Sequence, residues 1–190
     1  MKISVQENFL AKEKFDVLSK NIMGENFPWF FNPIVVDREK ESPSTSPGQL
    51  VHVVYAGNFP QSALYESDIF IPILQQLNVG VIFRIKMNLH LRRPEPFYSR
   101  YHIDIQYLDK AIAVNSTTSI FYINTNNGYT EFEDGTIVKS VANRLVTFPL
   151  TTKHRGISQT DEQTRYVINF NYLKQSGNSG QSSWTIPNKI

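Results

Sequence analysis

The chain has 190 residues, 41% hydrophobic and 13% aromatic, which suits one domain with a substantial core and excludes a disordered polypeptide. Its 19 basic and 17 acidic residues leave a net charge of +2, so the balance demands neither a nucleic acid nor a membrane as partner. Cysteine is absent, which excludes disulfides, thiolate metal sites and cysteine nucleophiles and leaves His, Asp, Glu and carbonyl oxygens as metal donors.

The first eight residues lack the apolar core of a signal peptide, and no run approaches the length of a membrane helix, so a cytoplasmic setting is expected. Residues 9–23 place Phe9, Leu10, Phe15, Val17, Leu18 and Ile22 at helical spacing before Gly24, which predicts a helix. The aromatic run 27–31 is expected to pack the N-terminal segment onto the body of the protein. Residues 41–48 are rich in Ser and Pro and read as a loop, with a lid as an alternative. A strand over 50–55 and a second helix over 62–77 follow.

From residue 81 the period becomes two. Phe83, Ile85, Met87, Leu89 and Leu91 form one face, and Arg84, Lys86, Asn88 and His90 the other. Further strands are predicted over 101–108, 116–123, 129–132, 136–141, 145–148 and 164–172. Turns are expected at Asn126-Asn127-Gly128 and Glu133-Asp134-Gly135, the second suited to a tight type I′ hairpin. The tail after 172 is flexible by composition. Many short strands after two helices predict a mostly β, α+β domain: an antiparallel sandwich or jelly roll with helices packed outside.

The chemistry lies on the polar faces. In 101–108, alternation puts His102, Asp104 and Gln106 together; in 164–172 it groups Arg165, Val167, Asn169 and Asn171. A solvent-facing sheet is normally rich in Lys and Glu, whereas this inventory offers ligands and hydrogen-bonding groups, which favours a lined cavity. His154 opens a segment from which a third ligand could approach. Two imidazoles and one carboxylate can hold Fe(II) on one side and leave the other positions open, although zinc accepts the same donors. Lys86, Arg92, Arg93 and Arg100 read as a solvated basic edge, with guidance of an acidic substrate as the alternative.

Taken in order, Tyr101-His102-Ile103-Asp104, the run 118–124, 127–132, 143–148, His154-Arg155-Gly156 and the run 165–170 resemble the Fe(II)- and 2-oxoglutarate-dependent oxygenases, in the prolyl-hydroxylase-like branch that includes small bacteriophage members. The resemblance covers residues 81–172 and implies a double-stranded β-helix there, preceded by supporting helices in 1–80 and followed by a tail from 173, all in one oxygenase domain. It makes His102, Asp104 and His154 the iron ligands and Arg165 the partner of the distal carboxylate of 2-oxoglutarate, which a planar guanidinium can bind through two contacts. Tyr122, Asn169 and His90 are implied neighbours of that cosubstrate. His90 stands where several relatives have tyrosine.

The implied reaction consumes O₂ and 2-oxoglutarate, with ascorbate as a candidate reductant, and hydroxylates an unactivated C–H bond of a peptide, protein or small molecule. A prolyl residue in a peptide is the first candidate. For a phage protein the setting would be the host cytoplasm. A nucleic-acid demethylase of this superfamily typically carries a second arginine six residues after the first, where this chain has Asn171. A catalytically silent module would have lost a ligand or the arginine, and a zinc hydrolase would have no use for Arg165 and Tyr122.

Overall fold

A computed structural model describes residues 2–36 and 46–176. Its elements in chain order are β1 (Ser4–Gln6), α1 (Lys12–Ile22), β2 (Phe30–Asn32), β3 (Gln49–Ala56), β4 (Phe59–Pro60), a 3₁₀ turn (Ala63–Glu66), α2 (Phe70–Gln76), β5 (Val79–Leu91), α3 (Lys110–Ala113), β6 (Thr117–Tyr122), β7 (Tyr129–Phe132), β8 (Ile137–Lys139), β9 (Arg144–Pro149), β10 (His154–Ile157) and β11 (Thr164–Lys174). They form two antiparallel sheets. The larger runs β1-β9-β6-β11-β5-β3-β2, with β4 on β3, and the smaller runs β10-β7-β8. The chain is thus mostly β, as its alternation predicts.

The central strands β5 and β11 show why the two faces differ. Ile85, Met87 and Leu89 join Tyr166, Ile168, Phe170 and Tyr172 in a core with Leu18 and Ile22 of α1 and Phe70, Ile73 and Leu74 of α2. Helices therefore cover the outer face of the large sheet, where each fully buried aliphatic or aromatic side chain contributes about 1.5–3 kcal/mol. On the inner face, Ile120, Tyr122, Val146, Phe148 and Val167 of the large sheet pack against Phe132 and Val138 of the small one. That cluster closes one end of the space between the sheets and leaves the other end open.

Four sequence expectations are corrected. The helix over 62–77 is two pieces, a 3₁₀ turn capped by Ser62 and then α2. In a continuous helix Pro72 would lie in the interior, where it lacks an N–H and clashes with the preceding turn; here it falls in the first turn of α2, which tolerates it.

Residues 101–108 do not form a strand. They make one antiparallel bridge, His102 to His154, and then turn away. Tyr101 and Tyr107, which alternation would bury beside Ile103 and Ile105, are 37% and 77% exposed. Asp109 ends the segment by capping α3, its carboxylate accepting from the Ala111 N–H.

Asn126-Asn127-Gly128 is not a hairpin turn, because β6 and β7 lie in different sheets and this segment carries the chain across. Glu133-Asp134-Gly135 does turn the β7–β8 hairpin, but only Gly135 has positive φ, at 86°. This is a three-residue loop with a left-handed glycine, not a two-residue type I′ turn. Of the loop expected at 41–48, residues 41–45 lie outside the described residues, as does the tail from 177.

Candidate metal centre and its cavity

The open end between the sheets is a cavity of about 290 Å³. Three donors meet at its wall. His102 comes from the isolated bridge, Asp104 from the irregular segment after it, and His154 from the first residue of β10, directly across that bridge. One ligand atom from each lies within 4.8 Å of the others, and Asp104 Oδ1 is 3.7 Å from His102 Nε2 and 3.8 Å from His154 Nε2. His52, by contrast, is held between the Pro28 carbonyl and Ser62 Oγ.

Backbone carbonyls settle which ring nitrogen faces the site. His102 Nδ1 lies 2.9 Å from the Arg100 carbonyl and His154 Nδ1 3.2 Å from that of Thr152. A carbonyl only accepts, so in each neutral ring Nδ1 carries the proton and Nε2 presents a lone pair inward. The His154 ring is 3% exposed and packs on the Phe148 ring at 4.8 Å. Burial is the largest influence on His154 and lowers its pKa, which keeps the imidazole neutral.

Asp104 is anchored from behind. Its side chain is 4% exposed; Oδ2 accepts from Asn171 Nδ2 at 2.9 Å and from Asn169 Nδ2 at 3.2 Å, and Arg84 lies 3.5 Å from Oδ1. Burial alone would raise its pKa, but in the metal-free site a hydrogen bond from His102, when that ring carries a second proton, and the Arg84 guanidinium outweigh that and hold the carboxyl well below the usual range. The inward-facing oxygen is thus ionised and fixed. Two imidazole nitrogens and one carboxylate oxygen gathered within 4.8 Å of one another form a donor set that suits Fe(II) with open positions.

Arg165 stands farther along β11, opposite His90 of β5 in register. It is 4% exposed, donates from Nε to Ser140 Oγ at 2.7 Å, and lies 5.8 Å over the Tyr122 ring. No carboxylate pairs with it among the described residues. A Cβ on Gly128 would fall 2.9 Å from Arg165 Cδ and 2.9 Å from the Ile157 carbonyl, so the side chain occupies room that only glycine leaves. Burial lowers the arginine's pKa, yet a guanidinium retains its charge at neutral pH. This buried cation faces the cavity.

The remaining expected residues fall as follows. His90 lines the cavity, and burial, then Arg165 and Lys86, push its pKa down to about 3, so its ring is neutral. Tyr122 is fully buried and donates its hydroxyl to Thr130 Oγ1 at 2.8 Å, so it touches the cavity only through Thr130 and through the ring under Arg165. Asn169, expected beside the cosubstrate, is turned to Asp104. Lys86, read as part of a solvated edge, instead lines the cavity. Arg84, Asn171, Thr130 and Ser140 were not singled out as site residues. Alternation already placed Arg84 and Asn171 on the polar face, but nothing in the sequence says which side chain reaches Asp104.

No protein-family model matches the chain, and no curated protein is significantly similar to it. Solved structures are. An oxidoreductase of the 2OG-Fe(II) oxygenase family from Burkholderia pseudomallei superposes with a TM-score of 0.61 at 10% identity, over 95% of this chain and 89% of that one. A prolyl hydroxylase from Trichoplax adhaerens, solved with a peptide fragment of hypoxia inducible factor, gives 0.57 at 13% identity, over 91% and 84%. The viral collagen prolyl hydroxylase of Paramecium Bursaria Chlorella virus-1, solved with 2OG, gives 0.54 at 14%, over 92% and 97%. This chain shares their fold.

Proposed function

We propose that the chain is an Fe(II)- and 2-oxoglutarate-dependent oxygenase that hydroxylates an unactivated C–H bond, built as one domain whose two sheets form a double-stranded β-helix. One observation carries the reading: a buried arginine without an acidic partner faces the same cavity as a His-Asp-His donor set. A buried unpaired cation is costly, by several kcal/mol, and a ligand that brings a carboxylate to Arg165 relieves that penalty. The fold shared with oxygenases, one of them solved with 2OG, agrees.

In this reading His102, Asp104 and His154 hold the iron and Arg165 takes the distal carboxylate of 2-oxoglutarate. The metal and cosubstrate supply the oxidising power through oxidative decarboxylation to succinate and CO₂, with ascorbate as the reductant that keeps iron ferrous. The protein supplies position and dryness. The Nδ1–H bonds to the Arg100 and Thr152 carbonyls fix both imidazoles, and Asn169, Asn171 and Arg84 fix the carboxylate. Ser140 and the Tyr122 ring orient Arg165, and Thr130 orients Tyr122. Neutral His90 lines the cosubstrate end without adding charge. Phe132 and Phe148 close the wall behind His154 against water.

Asn171, the position of a second arginine in nucleic-acid demethylases, is committed to Asp104 and Thr118, which favours a peptide or small-molecule substrate. A prolyl peptide is the first to try. Replacing Arg165 by Gln tests the assignment: 2-oxoglutarate affinity falls by about 100-fold, the scale of losing a charge-assisted pair, while metal affinity holds. An unchanged cosubstrate affinity would remove Arg165 from its role.

A further inference from the structure

Pairing the cations on the cavity wall with their contacts leaves one without a partner. Among the described residues, Arg84, Lys86 and Arg165 line it against a single acid, Asp104. Arg84 is taken by Asp104 and by Asn171 Oδ1, to which its Nε donates at 3.2 Å. On the reading proposed above, Arg165 is in contact with the distal carboxylate of the cosubstrate, and because a ferrous ion and 2-oxoglutarate together add no net charge, the positive surplus of the wall remains. Lys86 has neither an ion pair nor a hydrogen bond among the described residues. It is opposite Asn169 of β11 in register, one of the residues that hold Asp104. Burial, then Arg84, push its pKa down to about 8, which is what an ammonium kept from water and beside another cation experiences.

Two further observations agree. Asn88, next on the same face of β5, gives its Nδ2 to Asn169 Oδ1 at 3.4 Å, which fixes the amide and leaves Oδ1 buried without a partner. The wall therefore presents a charged donor, Lys86, beside an amide that is fixed in place. An adjoining groove, which shares Gln49, His90, Phe97 and Ser158 with the cavity, is lined by Arg92 and Arg93 and, among the described residues, by no acid. The surplus of positive charge thus continues outward from the metal centre. The chain as a whole is nearly neutral, so this concentration is local to the cavity and its approach.

We infer that the substrate is an anion: a carboxylate or phosphate group seats on Lys86 beside the metal centre. The Lys86 contact is made to the oxidised substrate and not to 2-oxoglutarate. Arg92 and Arg93 draw the anion in along the groove.

The inference rests on the proposed cofactor reading, and the test separates the two. Protein loaded with Mn(II), which does not turn over, and with 2-oxoglutarate is titrated calorimetrically with acetate and with inorganic phosphate; metal and cosubstrate affinities are measured first. At least one anion binds saturably, Lys86→Met weakens it by about tenfold or more, and Lys86→Arg restores it, while both variants bind metal and 2-oxoglutarate like the parent. Preference for acetate identifies a carboxylate-bearing substrate, preference for phosphate a phosphate-bearing one. If neither anion binds the loaded protein, if Lys86→Met binds them as the parent does, or if that variant loses 2-oxoglutarate instead, the inference is overturned. Failure of the parent to bind metal or 2-oxoglutarate counts against the cofactor reading alone, and phosphate titrated into metal-free parent and Lys86→Met then decides Lys86 in the same way.

Discussion

Asp104 offers one oxygen to the site because its other oxygen is occupied twice, by Asn171 and Asn169. Asn171→Leu removes the shorter of those bonds and leaves the buried carboxylate free to swing. Metal affinity should drop by about 10- to 100-fold, read by Mn(II) titration, with Asn169→Ala milder. Equal affinities would show that Arg84 and the histidines alone orient the carboxylate. At this scale the sequence was legible where chemistry restricts residue type: few side chains can be His-x-Asp, a distant His and a following Arg. Asn171 and Lys86 were legible only as members of a polar face, since Asn and Lys occupy most protein surfaces and their roles depend on which strand lies alongside.

The strands carry the site because β11 lies between β5 and β6 in register, so Arg165, Val167, Asn169 and Asn171 meet His90, Asn88, Lys86 and Arg84 in turn. The period of two predicted both faces over residues 84–90 and 165–171, but not at the ends of β5, where Leu91 is 60% exposed and Phe83 packs with Ile105 and Leu150 at a register shift. It failed at 101–108 because Asp104 is drawn to its partners on β11 and only His102 stays in a bridge, and it could not show that 126–128 crosses between sheets.

That crossing makes its own prediction. Gly128→Ala presses on Arg165 and on the Ile157 carbonyl, so 2-oxoglutarate binding should weaken by about tenfold with metal binding intact, as expected when a positioned group is displaced and not removed. At the start of β9, Asn143 sits at φ 62° and exchanges two 2.8 Å hydrogen bonds with the Leu10 backbone. Asn143→Ala loses both bonds and strains the backbone, a loss of about 2–4 kcal/mol measured by chemical denaturation.

Over the whole molecule, helices bury one face of the large sheet while the small sheet covers part of the other, and the uncovered part becomes the cavity. No helix among the described residues is long and apolar enough to cross a membrane. Composition and periodicity announced the layers, and the residues of the polar faces pointed to a lined cavity; its extent was not legible, because it depends on how far the small sheet reaches.

Acid sensitivity follows from what the cavity buries. In metal-free protein the pKa of His90 is about 3 when folded and about 6.5 when unfolded, so protons bind the unfolded chain more readily between these values. Stability is therefore level above about pH 6.5 and falls as pH drops toward 3, by up to about 1.4 kcal/mol per pH unit, with His154 adding in the same direction. Asp104 contributes stability that is present above its unfolded pKa of about 3.8 and lost only below it. His90→Gln should flatten the decline in melting temperature between pH 6.5 and 4.5; an unchanged slope would place the charge burden elsewhere.

The central claim is that this cavity holds ferrous iron and 2-oxoglutarate together, and anaerobic absorption spectroscopy reads that event directly. Adding Fe(II) and then 2-oxoglutarate to the protein near neutral pH should produce a visible metal-to-ligand charge-transfer band that saturates at one equivalent, and His154→Ala should abolish it. Absence of the band in the parent protein, or its persistence in the variant, would contradict the assignment.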